Sequence, residues 1–422
     1  MNTDKADILI IGGGVIGLCT AYYTAAQGAS VILIEKNRIP SSTGSSYGNA
    51  GLVVPSHCKP LPTPGIIAEG IRQLFDPSGA FSIRLRPTPE TLRWLWGFYR
   101  SCDEKHFSYA VDIFRELSQD SLRLHNALAR DAGTQYEYEQ TGLLHVCLTE
   151  KAFQEGREEA ELMEKYGIVS RVLSGAEVRD MEPAITPRVV GGIQNPPDGR
   201  LYPPAFLDWL AQEARNKGAQ FFTETEVFDF GQHRGQVRTV HTTKGDFQAE
   251  QVVLASGVWT GELAKKLGIR MPIQGAKGYS LTFRRPENCP RIPLVLEDFY
   301  VAVTPYKETL RMTGFLELSG MDQKIRLRCL RNIQEHTRVC LPKLGKPELL
   351  EIWRGHRPCT PDGLPVLGRS GKFANLWIAS GHATKGMSLG PVTGRLMRDM
   401  LAGKSIGRLG HALRPDRFRG RI

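Results

Sequence analysis

Asp7-Ile-Leu-Ile-Ile-Gly12-Gly13-Gly14-Val15-Ile16-Gly17 decides the fold. Ile8 to Ile11 form an apolar, β-branched run, the pattern of a strand buried on both faces. The glycines come at once after it. A helical pattern over 18–27 is stopped by Gly28, and a second strand over 30–34 ends at Glu35. Strand, glycine turn, helix and strand make the first half of a Rossmann-type unit. Gly12 permits the tight turn, Gly14 lets a pyrophosphate approach the backbone beside Val15 and Ile16, and Gly17 lets helix and strand pack closely. The free N–H groups and positive dipole end of the helix then face the phosphates. Glu35, with Lys36 beside it, sits about 20 residues on, where a carboxylate takes both ribose hydroxyls and disfavours a 2′-phosphate. The stretch predicts a dinucleotide site, and one unsuited to NADP.

The loop after Glu35 separates flavin from nicotinamide. Residues 42–51, Ser-Thr-Gly-Ser-Ser-Tyr-Gly-Asn-Ala-Gly, are small and rich in hydroxyls and amides. Such a loop suits close passage along a second diphosphate and a flavin edge. FAD is therefore the expected cofactor, with Ser42, Ser46, Asn49, Ala50, Gly51 and Leu52 along it. A buried run at 251–255 ends in Ser256-Gly257-Val258-Trp259, a turn at the strand edge where open α/β sheets bind ligands. Ser256, Gly257 and Trp259 are expected beside FAD, as is Val227, which closes a strand over 220–227. For Trp259 alone, core packing is the competing reading. The run 376–379 leads into Ser380-Gly381-His382-Ala-Thr-Lys385-Gly386-Met387, which opens a helix to about Leu401. Its N–H groups can point at the flavin pyrimidine edge, where negative charge develops on reduction. Gly381, His382, Lys385, Gly386 and Met387 complete the expected cofactor contacts.

Gly12-Gly-Gly-Val-Ile-Gly17, Glu35-Lys36 and a serine-rich stretch ending in Asn49-Ala-Gly51 look like the FAD-dependent amino-acid oxidase and dehydrogenase superfamily. That superfamily includes D-amino-acid dehydrogenases, glycine oxidase and sarcosine oxidase. Lys277-Gly-Tyr-Ser280 resembles a segment of the D-amino-acid dehydrogenases. Arg357-Pro-Cys-Thr-Pro-Asp362-Gly-Leu-Pro-Val-Leu-Gly368 resembles the superfamily pattern R-P-x-T-x-D-G-x-P-x-x-G. His382-Ala-Thr-Lys-Gly-Met-Ser-Leu-Gly-Pro391 looks like the branch acting on hydroxyproline-type cyclic amino acids, and Thr384 stands where glycine oxidase has a second arginine. The resemblance implies hydride transfer from Cα of a small amino acid to the flavin. The imine then hydrolyses to a 2-oxo acid, or remains as a cyclic imine. A D-amino-acid dehydrogenase is the leading reading. The alternatives are a proline- or hydroxyproline-type secondary-amine oxidase or dehydrogenase, and a non-catalytic flavin-carrying subunit. No second GxGxxG motif supports an NAD(P)H-dependent hydroxylase.

The expected fold class is α/β, α+β overall. Residues 1–60, 200–268 and 355–422 are expected to build a Rossmann-type FAD-binding domain. Residues 61–199 and 269–354 are expected to build a substrate domain on a mixed, largely antiparallel sheet with flanking helices. The active site is expected where the two meet. Strands read at 141–148, 299–304 and 310–314, and helices at 152–166, 205–217 and 321–340. An arginine fork clamps a carboxylate best, and the resemblance to glycine oxidase implies Arg357 for that role. A structural ion pair with Asp362 is the competing reading for Arg357, and Arg354 is the fallback. Tyr279 and Tyr300 are candidate hydrogen-bond donors to substrate, each also readable as core. His57 and Cys58 come just after the 42–51 loop and are placed at the site. Trp94, Trp96 and Phe98 read as packed core in a helical stretch punctuated by Pro62, Pro64, Pro87 and Pro89.

The chain of 422 residues carries a net charge of +10. No module interleaves aromatic with basic residues, which argues against nucleic acid as a partner. The basic tail, Arg408, His411, Arg414, Arg417, Arg419 and Arg421, reads either as a contact with a membrane surface or as a frayed end. The 8 cysteines form no CxxC pair, so neither a disulfide framework nor a metal site is expected, and the thiols read as reduced and cytosolic. No run approaches the roughly 18–20 apolar residues of a membrane span. The composite expectation is a cytoplasmic enzyme that can lie against the inner membrane and pass electrons to a quinone or another acceptor. A homo-oligomer is left open.

Overall fold

The computed structural model describes residues 4–74, 79–84 and 88–418. Strand β1 (Asp4–Ile11) lies between β2 (Val31–Ile34) and the strand Gly245–Leu254, parallel to both, with Ile8 opposite Val31 and Gln251. Leu9, Ile10 and Leu33 are fully buried because helices cover one face of this sheet and a hairpin and short helix cover the other. Gln220–Phe222 extends the sheet beyond β2, and Leu376–Ser380 pairs in parallel with Gly245–Leu254. An antiparallel hairpin, Val227–His233 with Gln236–Thr242, pairs with the first residues of Gly245–Leu254, and Val366–Arg369 pairs antiparallel with Leu376–Ser380, which completes the 8-stranded sheet.

Helix α1 (Val15–Ala25) starts at Val15, not at Leu18 as the apolar periodicity predicts. The cause is a distant residue: the Val15 N–H donates to Ser46 Oγ at 3.1 Å, so the 42–51 loop begins the helix. The strand expected over 220–227 is broken. Glu224 takes a left-handed conformation (φ 52°) between Phe222 and Val227. Conversely, the expected strand at 251–255 belongs to one long strand, Gly245–Leu254, whose two ends pair with different partners.

The second sheet has 9 strands and is mostly antiparallel. Gln274–Arg284 runs between Thr309–Leu318 and the edge strand Leu349–Cys359. Val301–Pro305 and Leu294–Leu296 come next outward, then Leu143–Cys147, which pairs in parallel with Leu294–Leu296. The strand expected over 299–304 begins only at Val301, because Tyr300 is left-handed (φ 53°). The helix expected over 321–340 is shortened to Leu327–Cys340. The Lys277 ammonium donates to the carbonyls of Asp322 and Lys324 at 3.3 and 3.0 Å, which holds that approach as a loop.

Three helices precede the second sheet's outer strands: α2 (Ile66–Leu74), α3 (Pro89–Arg100) and the long α4 (Glu104–Ala132). Trp94 is core, its indole donating to the Cys359 carbonyl at 3.0 Å, and Phe98 stacks on it. Trp96 is not core: it is 56% exposed, because the position two residues from Trp94 lies across the helix. The tail is not frayed as far as it is described. Arg417 is buried and makes a two-pronged pair with Asp362 at 2.7 and 3.0 Å. Pro87, Arg419 and Arg421 lie outside the described residues. Among the described residues no helix is long and apolar enough to cross a membrane.

Candidate active site

The glycine turn after β1 closes with no room to spare. Gly12 has φ +118°, and a Cβ there would lie 2.6 Å from the Ala255 carbonyl oxygen. A Cβ on Gly17 would lie 1.9 Å from the Gly12 oxygen, so the close helix–strand approach read from the sequence is a steric fact. Glu35 sits at the end of β2 and receives the Gly13 N–H at 2.7 Å and the Asn37 N–H at 3.0 Å. The turn opens on a cleft of about 370 Å³. Gly12, Gly14, Val15, Ile16, Glu35, Lys36, Ser46 and Asn49 line it from one side, and Val227, Ser256, Gly257, Trp259, His382, Gly386 and Met387 from the other. The Lys36 ammonium lies 4.3 Å from the Trp259 ring centre, so Trp259 is not simply core.

Two helices point their N-termini into this cleft, α1 and Gly386–Leu401. Neither has a side-chain cap at its own N-cap residue, and neither has an acid in its first turn. The ends therefore offer N–H groups and positive potential to an anion. His382, buried beneath the cleft, uses Nε2 with Thr393 Oγ1 at 2.9 Å and leaves Nδ1 without a partner. Burial holds its imidazole neutral, at about 3. A glycine turn too tight for side chains, two open helix ends, a ribose-side carboxylate and an orphan imidazole nitrogen fit FAD, with its diphosphate, riboses and flavin.

The remaining expected cofactor residues lie elsewhere. Gly17 and Gly381 are packing positions; a Cβ on Gly381 would meet Thr360 Cγ2 at 2.7 Å. Ser42 offers its carbonyl to the Trp353 indole N–H at 2.7 Å. Gly51 is pinned between the Leu201 carbonyl and the Tyr306 hydroxyl. Ala50, Leu52 and Lys385 line a second, larger cavity of about 710 Å³, which shares Ser45, Asn49 and Ala383 with the first.

The second sheet supplies one wall of this larger cavity. Val295, Ala302, Thr313, Ser280 and Trp353 stand in register across five neighbouring strands, on one face. Gly278, Gly355 and Arg357 continue that wall. Strand alternation settles which candidates reach the cavity. Arg357 does: its Nη1 donates to the Phe315 carbonyl at 2.9 Å. Its competing partner Asp362 is occupied by Arg417, and among the described ion pairs Arg357 has no carboxylate. Burial lowers its pKa from the ordinary value, since desolvation disfavours the charged form. Arg354, an odd number of residues away, lies on the opposite face and donates to the Gln323 carbonyl at 3.1 Å. Its register partner Tyr279 is there too, fully buried, its hydroxyl 3.3 Å from Glu317 Oε2. Tyr300 stands at the mouth, 52% exposed.

His57 also lines this cavity, and Cys58 is buried behind it. Sequence reasoning missed Gly278. A Cβ there would lie 2.3 Å from Arg357 Nη1, so the guanidinium rests directly on this strand's backbone. A glycine inside a strand was the available signal, since it marks a close approach. His145 and Glu297 were missed as well; nothing in their own segments marks them.

Residues 7–400 match the DAO family of FAD dependent oxidoreductases, and the chain belongs to that family. It is an FAD-dependent oxidoreductase. It is 29% identical over 403 residues to a D-amino acid dehydrogenase of Chromohalobacter salexigens, covering 94% of this chain and 96% of that one. Its fold is that of glycine oxidase from Geobacillus kaustophilus (TM-score 0.80, 24% identity, 99% of this chain and 100% of that one). L-proline dehydrogenase from P. horikoshii shares the fold as well (TM-score 0.75, 21% identity, 99% and 98%).

Proposed function

We propose that this enzyme oxidises a small amino acid, in first place a D-amino acid, at the bond between Cα and nitrogen. The observation that carries the reading is Arg357: a half-buried guanidinium without a carboxylate partner among the described ion pairs, in the wall of a cavity that joins the cofactor cleft at Ser45, Asn49 and Ala383. The D-amino acid dehydrogenase relative supports the substrate class.

In this reading Gly12, Gly14 and the N-terminus of α1 hold the diphosphate, and Glu35 holds the adenosine ribose. Ser46, Asn49, Ser256 and Gly257 border the rest of the cofactor, with the N-terminus of Gly386–Leu401 at the flavin. FAD, when bound, supplies the two-electron acceptor for the Cα hydride. The chain's own work is placement. Arg357 clamps the substrate carboxylate in two-pronged fashion, and its seat on Gly278 fixes the direction of the fork. Trp353, Leu52 and Phe315 wall the side-chain space and keep water off the reacting carbon. Tyr300 closes the mouth. Arg354 and Tyr279 support the strands from behind. The product imine leaves to hydrolyse to a 2-oxo acid, or persists when cyclic. The segments 1–60, 200–268 and 355–422 then act as the cofactor domain, joined by α4, which packs on Gly386–Leu401, and the rest of 61–199 with 269–354 acts as the substrate domain.

The rim carries exposed Ile67, Ile71 and Ile83, which favours an apolar acceptor such as a quinone over a charged one. The test is anaerobic. The flavin-loaded protein is mixed with D- and L-alanine, D- and L-proline, hydroxyproline, glycine and sarcosine, and its visible absorbance is monitored. Bleaching by the D-series or by cyclic amino acids supports the reading and names the group. Bleaching by none overturns it in favour of a flavin-carrying subunit without amine activity. Recolouring by a soluble quinone faster than by air identifies a dehydrogenase.

A further inference from the structure

We propose that His57, His145 and Glu297 form a proton relay that takes a proton from the substrate's ammonium group in the cavity and carries it to solvent. The inference rests on the amino-acid reading above and adds a step that Arg357 cannot perform. An amino acid arrives as an ammonium ion, and its Cα hydride cannot leave until the nitrogen has a lone pair to form the C=N bond.

The three side chains come together through the topology. His57 lies just beyond the strand Leu52–Val53, on a turn closed by its own N–H to the Val54 carbonyl at 3.1 Å. Leu143–Cys147 runs parallel to Leu294–Leu296, which puts His145 opposite Val295, a residue of the cavity wall. Glu297 starts the turn directly after that second strand. His57 Nε2 lies 3.4 Å from His145 Nε2, and His145 Nδ1 lies 2.5 Å from Glu297 Oε1. Exposure rises outward along the chain, from 15% for the His145 side chain to 28% for that of Glu297.

The transfer balances without any electron moving between residues. The substrate R–CH(NH₃⁺)–COO⁻ gives a proton to His57 Nδ1, the ring nitrogen not engaged with His145. His57 Nε2 passes its proton to His145 Nε2, and His145 Nδ1 passes its proton to Glu297 Oε1. The substrate becomes the free amine, and the neutralised Glu297 releases its proton to water.

The surrounding charges set the direction. Burial is the largest influence holding the His57 pKa well below its ordinary value, and a proton once on His145, then the charge of Lys385, lowers it further. Burial opposes the charged form of His145, but the hydrogen bond and charge of Glu297, with Asp198 and Glu159, outweigh it and raise the pKa. A proton that reaches His57 therefore moves on to the better base. The other groups facing this corner are Cys58, pushed up by burial to about 11, and Lys385, lowered by burial to about 8. Beyond them, Lys59 pairs with Glu159 at 2.9 Å, and Asp198 accepts from Ser56.

The test is anaerobic stopped-flow reduction of the flavin-loaded enzyme by D-alanine and D-proline, using the faster of the two, from about pH 6 to pH 10. His57→Gln should be slower by about 10²-fold at the acid end. The gap should close to within a few-fold at the alkaline end, where solvent has already deprotonated the amine. Glu297→Gln, at a partly exposed position that leaves the fold intact, should shift the profile in the same direction by less. Slowing by one constant factor at every pH, or wild-type profiles in both variants, overturns the relay while leaving amino-acid oxidation standing. If neither bleaches the wild-type flavin, the amino acid of the wider panel that bleaches it fastest takes their place, and if none of that panel does, the amino-acid reading and the relay fall together.

Discussion

Arg357 and Gly278 work as one unit at the residue scale. The guanidinium lies so close over the strand that any side chain at 278 would push it aside. Arg357→Met should lower kcat/KM by roughly 10²–10³-fold, the scale of about 3–5 kcal/mol for a buried charge pair broken on one side. Gly278→Ala keeps the arginine but displaces its fork, and should cost on the order of 10²-fold, as a misplacement of about 1 Å does. Both variants should keep FAD, since neither residue lines the cofactor cleft. The check is steady-state kinetics beside flavin absorbance; a Gly278→Ala enzyme within a few-fold of wild type would show that the fork is not aimed by this contact. The sequence marked Arg357 through its motif. It could also have ruled out Arg354 as a partner: two residues an odd number apart in a strand cannot share a face. That argument needed only the knowledge that 349–359 is a strand. Tyr279 is excluded by the pairing of two strands far apart in sequence, which no local pattern reveals.

The helix Gly386–Leu401 shows what an element needs from outside itself. Its start at the cleft was legible from the small residues after the strand 376–380, and its length from the apolar spacing up to Leu401. Pro391 inside it looks like a fault, because proline has no N–H for the carbonyl of Met387. Helix α4 repairs the fault. His125 Nε2 donates to the carbonyls of Met387 and Ser388 at 3.2 and 3.1 Å, and Ser121 Oγ donates to Ser388 O at 2.5 Å. Burial keeps His125 neutral, at about 4, so Nε2–H is available as a donor across the working pH range. His125→Leu preserves the packing volume and removes the donor. It should cost about 1–3 kcal/mol, the penalty for a buried carbonyl left short of a partner, and should weaken FAD retention because the loosened turn, with Gly386 and Met387, lines the cofactor cleft. Thermal unfolding and flavin release on dilution would measure both. Full stability in the variant would mean that Ser121 alone suffices. On its other side the helix touches α1 through Gly390 and Gly394, where a Cβ at 394 would lie 2.5 Å from the Cys19 backbone. Gly390-xxx-Gly394 was visible in the sequence, but its partner was not.

For the whole molecule, what counts is how the two sheets are joined. The first sheet was readable because its strands are continuous apolar runs next to glycine turns. The second was read only in outline, since its long strands alternate weakly and its edges are defined by distant pairing. The seam between them was not readable at all, and Asp198 sits in it. Its carboxylate, fully buried, accepts the Ser56 N–H at 3.1 Å and the Ser56 hydroxyl at 2.5 Å, and its own carbonyl accepts the Gly142 N–H at 2.8 Å. Burial is the largest influence on it and outweighs the Ser56 hydrogen bonds and the charge of His145, raising its pKa from 3.8 to about 6. A raised carboxyl favours the folded state while it is protonated. Its contribution is whole below the unfolded value near 3.8, falls as pH rises, and is gone above about 6. The amount at stake is roughly 2–3 kcal/mol. Asp198→Asn cannot ionise, so its unfolding midpoint should gain on that of wild type as pH is raised from about 4 to 7. Scanning calorimetry of the two flavin-loaded proteins side by side reads the difference directly. A gap that stays constant, or that narrows with rising pH, would show that the carboxylate is held ionised at the seam and contributes there as a charge.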